Sequence, residues 1–329
     1  MKDFDIVLAS GSEHLKTSFQ EKDFRVFTSA LNYDRRRLFP NADIYAKLED
    51  ISELSDRRIV VIQSCTGSGP AEKEPYTTSD RVVELLLLLD LLSRPVVVKK
   101  VGHKKYECEC ISPPSHVEVV LTFQPFALQD KSFKTGEAVS ARWAIETIAK
   151  ACNKVWVVNP HAPDSLDWVQ ELRDKNLYES IDVIPELVKL AEKQFGFNKA
   201  VLVTPDEGAQ ERYQIDGFGK NRENSYKIDI TGDLDVRDKQ VIIVDDLTKS
   251  GSTLLKAADR LRNQGADDVG MIVAHVLPLM EKGEELLEEL IERARGMIVT
   301  TNTVCTETFC EKNPHLTYDI VEKLVEVLK

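Results

Sequence analysis

Two adjacent carboxylates followed by a hydroxyl-rich turn are the residues of this chain best suited to chemistry. Asp245 and Asp246 come directly after the apolar run 241–244. The turn behind them consists of Lys249, Ser250, Gly251, Ser252 and Thr253. The two carboxylates can accept hydrogen bonds from vicinal hydroxyls or bind a divalent cation. The turn can hold a phosphate, because free backbone N–H groups and the positive end of the helix dipole meet at a helix N-terminus. Together they indicate a phosphorylated sugar as ligand.

This chemistry requires a strand, a tight loop and a helix in that order. The β-branched run 241–244 is typical of a buried parallel strand. Apolar residues then recur at helical spacing through Leu261, and Gly265 can end the helix. The alternative is an ordinary strand-to-helix turn with Ser252 or Thr253 as the N-cap. The complete pattern favours a ligand site over that alternative.

The stretch VIIVDDLTKSGST resembles the phosphoribosyl-diphosphate (PRPP) loop of type I phosphoribosyltransferases and ribose-phosphate diphosphokinases, which are also called PRPP synthases. The resemblance implies that Asp245 and Asp246 contact the ribose hydroxyls and that residues 249–253 bind the 5-phosphate. Many members of the family have Asp at the position of Lys249 and Gly at that of Ser252. A lysine is electrostatically compatible with a phosphate loop.

The composition favours two domains and argues against several kinds of partner. The chain has 329 residues, of which 42% are hydrophobic and 30% charged, and its formal net charge is −12. Two domains of ordinary size are therefore expected, and neither nucleic acid nor an anionic membrane is an expected partner. The most apolar run, 85–92, is far shorter than the ~20 residues of a bilayer span. We expect no signal peptide, and the six cysteines, without a CxxC pair, predict reduced thiols in a cytoplasmic protein.

Strand and helix patterns alternate along the whole chain. The predicted strands are 4–9, 25–28, 58–63, 95–100, 116–122, 154–159, 199–204, 241–244, 268–275 and 297–301, and the predicted helices include 79–93, 137–152, 185–195, 281–295 and 318–329. Residues 101–115 are predicted as an irregular or hairpin insertion. This order predicts an α/β protein of two tandem doubly wound parallel-sheet domains with type I phosphoribosyltransferase-like topology. The domains are placed at 1–165 and 166–329, with a loose connection at 162–177 and a terminal helix, 317–329, that can pack on the N-terminal domain.

Polar residues stand at the predicted ends of three strands. His161 ends one strand, Asp206 a second, and Asp245 with Asp246 a third. Ligands of open α/β sheets bind at the carboxyl ends of strands. The sequence therefore predicts that these residues converge on one site, while His275, at another strand end, is predicted to be structural.

The resemblance to PRPP synthases covers nearly the whole chain and implies roles for further residues. FALQDK is similar to the ATP-contacting loop, which assigns Gln129 and Asp130 to ATP. NPHAPD is similar to the segment with a metal- and ATP-contacting histidine, here His161, and TPDEGA to the turn whose aspartate helps to bind the metal, here Asp206. GFGKNRENSYK resembles the flexible catalytic loop, so Lys220 and Arg222 are the implied catalytic residues.

Several positions depart from the family pattern on the ATP side. Phe39, Asn41 and Asp43 match the adenine-binding positions, although Asn41 replaces an Asp. Leu128 stands where a phosphate-binding Arg is usual, and Asn159 where an acid is common. In detail PDEGA, the KxRE loop and VDDLTKSG are similar to the plant-type, class II branch.

The resemblance implies a Mg²⁺-dependent ribose-phosphate diphosphokinase that transfers the diphosphoryl group of ATP to the 1-hydroxyl of ribose 5-phosphate and releases AMP. Such a transfer is catalysed mainly by positioning and charge neutralisation. The family relation also implies a dimer-based homo-oligomer. Two alternatives remain open: a phosphoribosyltransferase that consumes PRPP, and a catalytically weak regulatory subunit associated with PRPP synthase.

Overall fold

Two parallel sheets with helices packed on them make up the computed structural model. The structure describes residues 2–67, 76–161, 164–206, 209–210, 213, 234–278 and 283–329, and the backbone alone at 219–222 and 228–231. Its described strands are β1 (Asp5–Leu8), β2 (Val26–Thr28), β3 (Arg58–Ser64), β4 (Val96–Gly102), β5 (Lys105–Cys110), β6 (His116–Phe123), β7 (Lys154–Val158), β8 (Tyr178–Ile181), β9 (Val201–Val203), β10 (Gly219–Arg222), β11 (Ile228–Thr231), β12 (Gln240–Thr248), β13 (Asp268–Val276), β14 (Ile298–Thr301) and β15 (Thr317–Tyr318). The α-helices are α1 (Lys16–Glu21), α2 (Thr78–Ser93), α3 (Ser140–Ala149), α4 (Asp167–Asp174), α5 (Ile184–Phe195), α6 (Ser252–Asn263), α7 (Gly283–Arg293) and α8 (Val321–Val327). A π-helix spans Glu307–Lys312.

The first sheet has six described strands in the order β2-β1-β3-β6-β7-β8, all parallel. Its side chains alternate between two cores, as the two-residue period of a strand requires. Val60 and Ile62 face one core, and Ile59 and Val61 face the other. Helices cover both faces, which is the usual condition of a parallel sheet. The predicted α/β architecture is confirmed for this half.

This sheet extends past the predicted domain boundary. β8 pairs with β7 from Val155↔Tyr178 to Val158↔Ile181. Residues 162–177, predicted as a loose connection, contain helix α4, whose Trp168 is buried against the first sheet. The boundary predicted at residue 165 therefore lies inside the first half. A short amphipathic helix and a four-residue strand carry too weak a periodic signal to be told from a linker.

The second sheet has five described strands in the order β15-β14-β13-β12-β9, again all parallel. β13 is the central strand, and β12 lies between it and the edge strand β9. Tyr318, predicted to begin the terminal helix, belongs instead to β15, and the helix itself begins at Val321. The inward face predicted for this helix is confirmed, since Val321, Leu324 and Leu328 are buried.

One hydrophobic core joins the two halves. It contains Phe4, which precedes β1, and Ile6 of β1 together with Leu187 of α5 and Leu324 of α8. Polar contacts cross at the same place: Arg58 Nη1 donates to the Leu328 carbonyl at 2.9 Å. The halves are thus held in one arrangement, which aligns the carboxyl ends of their central strands.

A two-stranded hairpin stands apart from both sheets. β4 and β5 pair antiparallel from Val96↔Cys110 to Gly102↔Lys105. The predicted insertion is therefore a hairpin, and it includes the strand predicted at 95–100. Within the residues described here, no helix combines the length and apolar character that crossing a membrane requires.

Candidate active site

The two carboxylates lie inside a strand rather than after it. β12 continues through Asp245 and Asp246 to Thr248, where it still pairs with Val276 of β13. The prediction that the strand ends at residue 244 is therefore corrected. Asp245 is 9% exposed and Asp246 3%, and Asp245 Oδ1 accepts a hydrogen bond from the Asp246 N–H at 3.0 Å. Pairing with β13 at Asp245 and again at Thr248 fixes the direction in which the carboxylates point.

The turn behind the carboxylates depends on one glycine. Gly251 adopts φ +69° and serves as the N-cap of α6, so neither Ser252 nor Thr253 is the N-cap. A Cβ at Gly251 would lie 2.2 Å from Leu290 Cδ1 of α7. The Gly251 N–H donates to Thr248 Oγ1 at 3.0 Å, a contact that the local pattern does not predict. Both backbone conformation and packing therefore require glycine here.

The N-terminus of α6 is open to an anion. The first N–H groups of a helix have no intrahelical acceptor, and a glycine N-cap has no side chain to supply one. Ser250 and Thr253 are partly exposed beside this end, and Lys249 and Ser252 are exposed. Local charge and backbone donors thus favour a phosphate at the position that the sequence predicts.

The most informative contact joins the two halves of the chain. His161 follows β7 in the first half, and its Nδ1 lies 2.5 Å from Asp246 Oδ2 in the second. An ionised carboxylate can only accept, so the His161 Nδ1 carries the proton and donates it to Asp246. His161 is 27% exposed at its side chain and Asp246 4%. Two residues predicted to share a site are therefore brought together.

Asn159 anchors the turn that carries His161. It adopts φ +36°, its Oδ1 accepts from the Val183 N–H at 2.8 Å, and its Nδ2 donates to Asp182 Oδ1 at 3.1 Å. These contacts tie the end of β7 to the segment that leads into α5. At this position an amide supplies both a donor and an acceptor, which an ionised acid could not.

His275 of β13 supports the same turn from the second half. Its Nε2 faces the carbonyl oxygens of Val158 and Asn159, at 3.1 and 3.0 Å, and its Nδ1 lies 2.8 Å from Thr303 Oγ1. Burial lowers the pKa of His275 below its ordinary value. A neutral, fully bonded ring fits the structural role predicted for it.

Asp206 and the metal prediction are only partly described by the structure. Asp206 Oδ1 accepts from the Ala209 N–H at 3.0 Å, so this carboxylate closes the turn after β9. Among the described residues there is no group of three or more His, Cys, Asp or Glu side chains that could hold a metal. Mg²⁺ commonly binds through one or two protein ligands, with waters and substrate phosphates completing its shell. The Asp206 carboxylate is a ligand of the kind that Mg²⁺ prefers, and the metal role of His161 stays a prediction from the family resemblance.

The predicted catalytic pair lies on a hairpin. Lys220 and Arg222 belong to β10, which pairs antiparallel with β11 in the register Lys220↔Ile230 and Arg222↔Ile228. Residues two apart in a strand project to the same face. Their side chains lie outside the described residues.

The predicted adenine residues occupy the tip of a different hairpin. The Phe39 N–H donates to the Asp43 carbonyl at 2.8 Å, and the Phe39 ring packs edge-on against Tyr45 at 5.5 Å. Asn41 Nδ2 donates to Asp43 Oδ2 at 2.5 Å, and both residues are exposed. These contacts keep the tip together and do not join it to His161.

The loop after β6 carries the predicted ATP-contacting residues, which differ in their exposure and contacts. Gln129 Oε1 accepts from Ser140 Oγ at 3.2 Å, Asp130 is 5% exposed, and Leu128 is 52% exposed. The Asp130 carbonyl accepts from Trp168 Nε1 at 3.0 Å. The loop is therefore fixed at its end by α4, while the position usually held by Arg in the family displays an apolar side chain.

Comparisons with known proteins agree with this geometry. The family model of the phosphoribosyl transferase domain matches residues 209–296. A ribose-phosphate pyrophosphokinase of Pyrococcus furiosus is 25% identical over 312 residues, covering 92% of this chain and 94% of the relative. Those of Sulfurisphaera tokodaii and Methanosarcina acetivorans are 27% and 28% identical, covering 82% and 81% of this chain and 83% and 82% of the relatives.

A solved structure shows the same fold over the whole chain. The crystal structure of phosphoribosylpyrophosphate synthetase from Mycobacterium smegmatis matches with a TM-score of 0.70 at 20% identity, covering 99% of this chain and 98% of that one. Together with the matched transferase domain, this likeness confirms two tandem phosphoribosyltransferase-like domains.

Proposed function

We propose that this chain, a member of the ribose-phosphate pyrophosphokinase family, transfers the diphosphoryl group of ATP to the 1-hydroxyl of ribose 5-phosphate, giving PRPP and AMP. The observation that carries the proposal is the contact between His161 and Asp246. It places the residue assigned to the nucleotide and metal next to a residue assigned to ribose. A site for one substrate alone would not require the two halves to meet there.

The sugar phosphate binds to the second half. Asp245 and Asp246 accept hydrogen bonds from the ribose hydroxyls, and the N-terminus of α6 receives the 5-phosphate, with Lys249 adding positive charge. The hydroxyls of Ser250, Ser252 and Thr253 complete the phosphate contacts. Because Gly251 is held by packing on Leu290, these donors are in place before the ligand arrives, which limits the entropic cost of binding.

The nucleotide phosphates lie on the His161 side. Asp246 holds the His161 ring through Nδ1, so Nε2 points away from that carboxylate and can bind a metal or a phosphate oxygen. His161 and Asp206 are the residues that would hold Mg²⁺, which offsets phosphate charge in reactions of this class. Transfer then requires that the two substrates be aligned and that charge on the β-phosphate be neutralised.

Lys220 and Arg222 supply that positive charge. Both residues belong to β10, two positions apart in its register with β11. Phe39, Asn41 and Asp43 bind adenine, and Gln129 and Asp130 contact ATP. The family resemblance implies a dimer-based homo-oligomer, in which the adenine residues would serve a neighbouring subunit.

The family branch and the cellular location belong to the same proposal. The class II motifs remain a prediction, since the relatives described above are archaeal. All six cysteines are free thiols, which is typical of a reducing compartment and supports a cytoplasmic location.

The test is release of AMP from ATP with Mg²⁺, measured with and without ribose 5-phosphate. We expect AMP only when the sugar phosphate is present, and loss of AMP formation in Lys220→Ala. Lys239→Ala is the matched control, because Lys239 is bonded to Asp235 at 2.9 Å on the opposite end of β12 and should retain activity. A folded protein that binds ribose 5-phosphate but releases no AMP from any nucleoside triphosphate would overturn the proposal.

A further inference from the structure

Two cysteines flank a wide helical turn beside the candidate site. Cys305 precedes the π-helix and Cys310 lies within it, and the Cys305 side chain is hydrogen-bonded to the Cys310 sulfur. The Cys310 N–H donates to the Thr306 carbonyl at 2.9 Å, which folds residue 310 back against the residue that follows Cys305. Both cysteines are partly exposed, and neither forms a disulfide. A small oxidant can therefore reach both thiols.

Cys310 differs in acidity from the buried cysteines of the chain. Hydrogen bonding from Cys305, assisted by Thr306, lowers the pKa of Cys310 to about 7. Burial instead raises the pKa of Cys152 to about 12 and raises that of Cys65 further. The thiolate is the reactive form of cysteine, so Cys310 is the nucleophile among these three.

The segment that carries the pair is fixed to both halves of the protein. Glu284 of α7 accepts from the backbone N–H groups of Glu307 and Thr308, at 3.0 and 2.9 Å. On the other side Val304 packs with Phe123 and Ala127, which begin the loop that carries Gln129 and Asp130. A movement of the backbone at the cysteines would therefore shift Val304 against the start of the predicted nucleotide loop.

One hydrogen bond connects the thiol directly to that packing. The Cys310 thiol donates to the Val304 carbonyl at 3.8 Å. A disulfide has no S–H to donate, and its sulfurs must approach to about 2.05 Å. Oxidation therefore removes this contact and draws residues 305 and 310 together, which displaces Val304 relative to Phe123.

We propose that Cys305 and Cys310 form a redox-responsive dithiol whose closure to a disulfide alters the nucleotide loop. A peroxide is the oxidant: the Cys310 thiolate attacks its O–O bond, forming a sulfenic acid and releasing one water after protonation. The Cys305 thiol then attacks that sulfur, the S–S bond forms, and a second water leaves. Two thiols and one hydrogen peroxide thus give one disulfide and two waters. A dithiol reductant restores both thiols by exchange.

Peptide mapping tests the covalent step on the full chain. Trypsin is expected to release residues 296–312 as one peptide, which contains Cys305 and Cys310 and no other cysteine. After stoichiometric hydrogen peroxide this peptide should lose the mass of two hydrogens, and a dithiol should restore them. Cleavage after Glu307 should then leave its two parts joined only in the oxidised sample. Sulfinic or sulfonic acid at Cys310 without a disulfide would overturn the proposal, as would preferential oxidation of other cysteines.

Two substitutions at Cys305 separate acidity from disulfide formation. At pH 7 a thiol of pKa about 7 is roughly half ionised, against about 3% for an ordinary cysteine, and reduced nucleophilicity leaves a net alkylation advantage of about threefold. Cys305→Ser keeps a donor to Cys310 but cannot form the disulfide, so fast alkylation should persist. Cys305→Ala should lose that advantage. Equal alkylation rates in wild type and Cys305→Ala would contradict the proposed activation.

The effect on the nucleotide loop rests on the proposed function and needs a separate readout. Oxidation should raise KM for ATP by about fivefold, the effect of losing roughly one hydrogen bond, and leave KM for ribose 5-phosphate nearly unchanged. Cys310→Ser should be insensitive to peroxide, while replacement of both Cys108 and Cys110, which are exposed on the β4–β5 hairpin, should not remove the response. An oxidised protein with unchanged KM for ATP would refute the coupling. Failure of the reduced protein to form AMP would refute the proposed function, whereas the evidence for the disulfide from peptide mapping would still stand.

Discussion

Replacing Gly251 by alanine tests whether the phosphate loop is shaped by packing. Two costs are expected. The left-handed conformation at φ +69° costs an alanine about 1–2 kcal/mol, partly offset by ~0.4–1 kcal/mol from the lower entropy of the unfolded chain. The new Cβ would also lie 2.2 Å from Leu290 Cδ1, and such overpacking typically costs about 1–3 kcal/mol. We therefore expect a loss of roughly 2–4 kcal/mol in the free energy of unfolding.

A second glycine isolates the packing cost. Gly296 has φ +73°, but a Cβ there would meet nothing within 4 Å. Gly296→Ala should therefore carry the conformational cost alone, about 1 kcal/mol. The difference between the two substitutions, measured by chemical denaturation, gives the cost of the contact with Leu290. Equal losses at the two glycines would refute the reasoning.

The same substitution should act on sugar phosphate binding. Relief of the contact must move the loop or α7, which misplaces the N–H groups at the start of α6. Loss of one hydrogen bond to a charged group is worth about 1.5–3 kcal/mol, so KM for ribose 5-phosphate should rise about tenfold or more, with a smaller change in KM for ATP. In a Leu290→Ala background the additional loss from Gly251→Ala should shrink, since these sites are in contact and should not be additive.

Three further predictions concern other parts of the chain. Asp246→Asn should raise KM for both substrates, because an amide orients His161 less firmly than a carboxylate does. His161→Ala should raise mainly KM for ATP, by roughly tenfold for the loss of one charged hydrogen bond. Fully additive losses in the double variant would contradict the coupling of the two residues. Burial lowers the pKa of His275 in the folded state, so below about pH 6.5 the unfolded state binds more protons than the folded state does. The free energy of unfolding should therefore decrease as the pH is lowered below that value, by up to about 1.4 kcal/mol per pH unit. Stability is complete above that pH, and denaturation of His275→Gln should show a shallower acid slope. Thr77→Ala should destabilise α2 by about 1 kcal/mol, since Thr77 and Asp80 form a capping box; Asp80→Ala should add little in denaturation of the double variant, and full additivity would contradict the box.

Local patterns predicted the order of elements around the two acids. The strand, the two acids, the turn and helix α6 are consecutive, so their periodicity and turn chemistry are readable within one window of sequence. β12 is longer than its apolar run predicts, because polar residues end such a run in sequence but can continue a strand that a neighbouring strand still pairs. Asp245 is in that position, since it is buried and pairs with Val273 of β13.

Other features could not be predicted from local patterns. The sequence predicts a loose connection at 162–177, where the structure has α4, and it predicts no strand at β8. The membership of a four-residue strand in a sheet depends on its neighbour, here β7, and not on its own composition. The motif predicts that Gly251 belongs to the phosphate loop. It does not predict that a Cβ at this position would clash with Leu290, a residue of α7 that is distant in sequence. The pairing of Cys305 with Cys310 likewise depends on a π-turn that spacing alone does not indicate.

The sequence by itself determined the alternation of strands and helices, the order of strand, acids, turn and helix, and the set of polar residues at strand ends. Only the tertiary structure decided which of those ends meet. His161 and Asp246 are 85 residues apart and come within 2.5 Å because a shared core joins the two halves. Periodicity reports which face of an element is buried, whereas the distance between two side chains depends on register and packing across the whole chain.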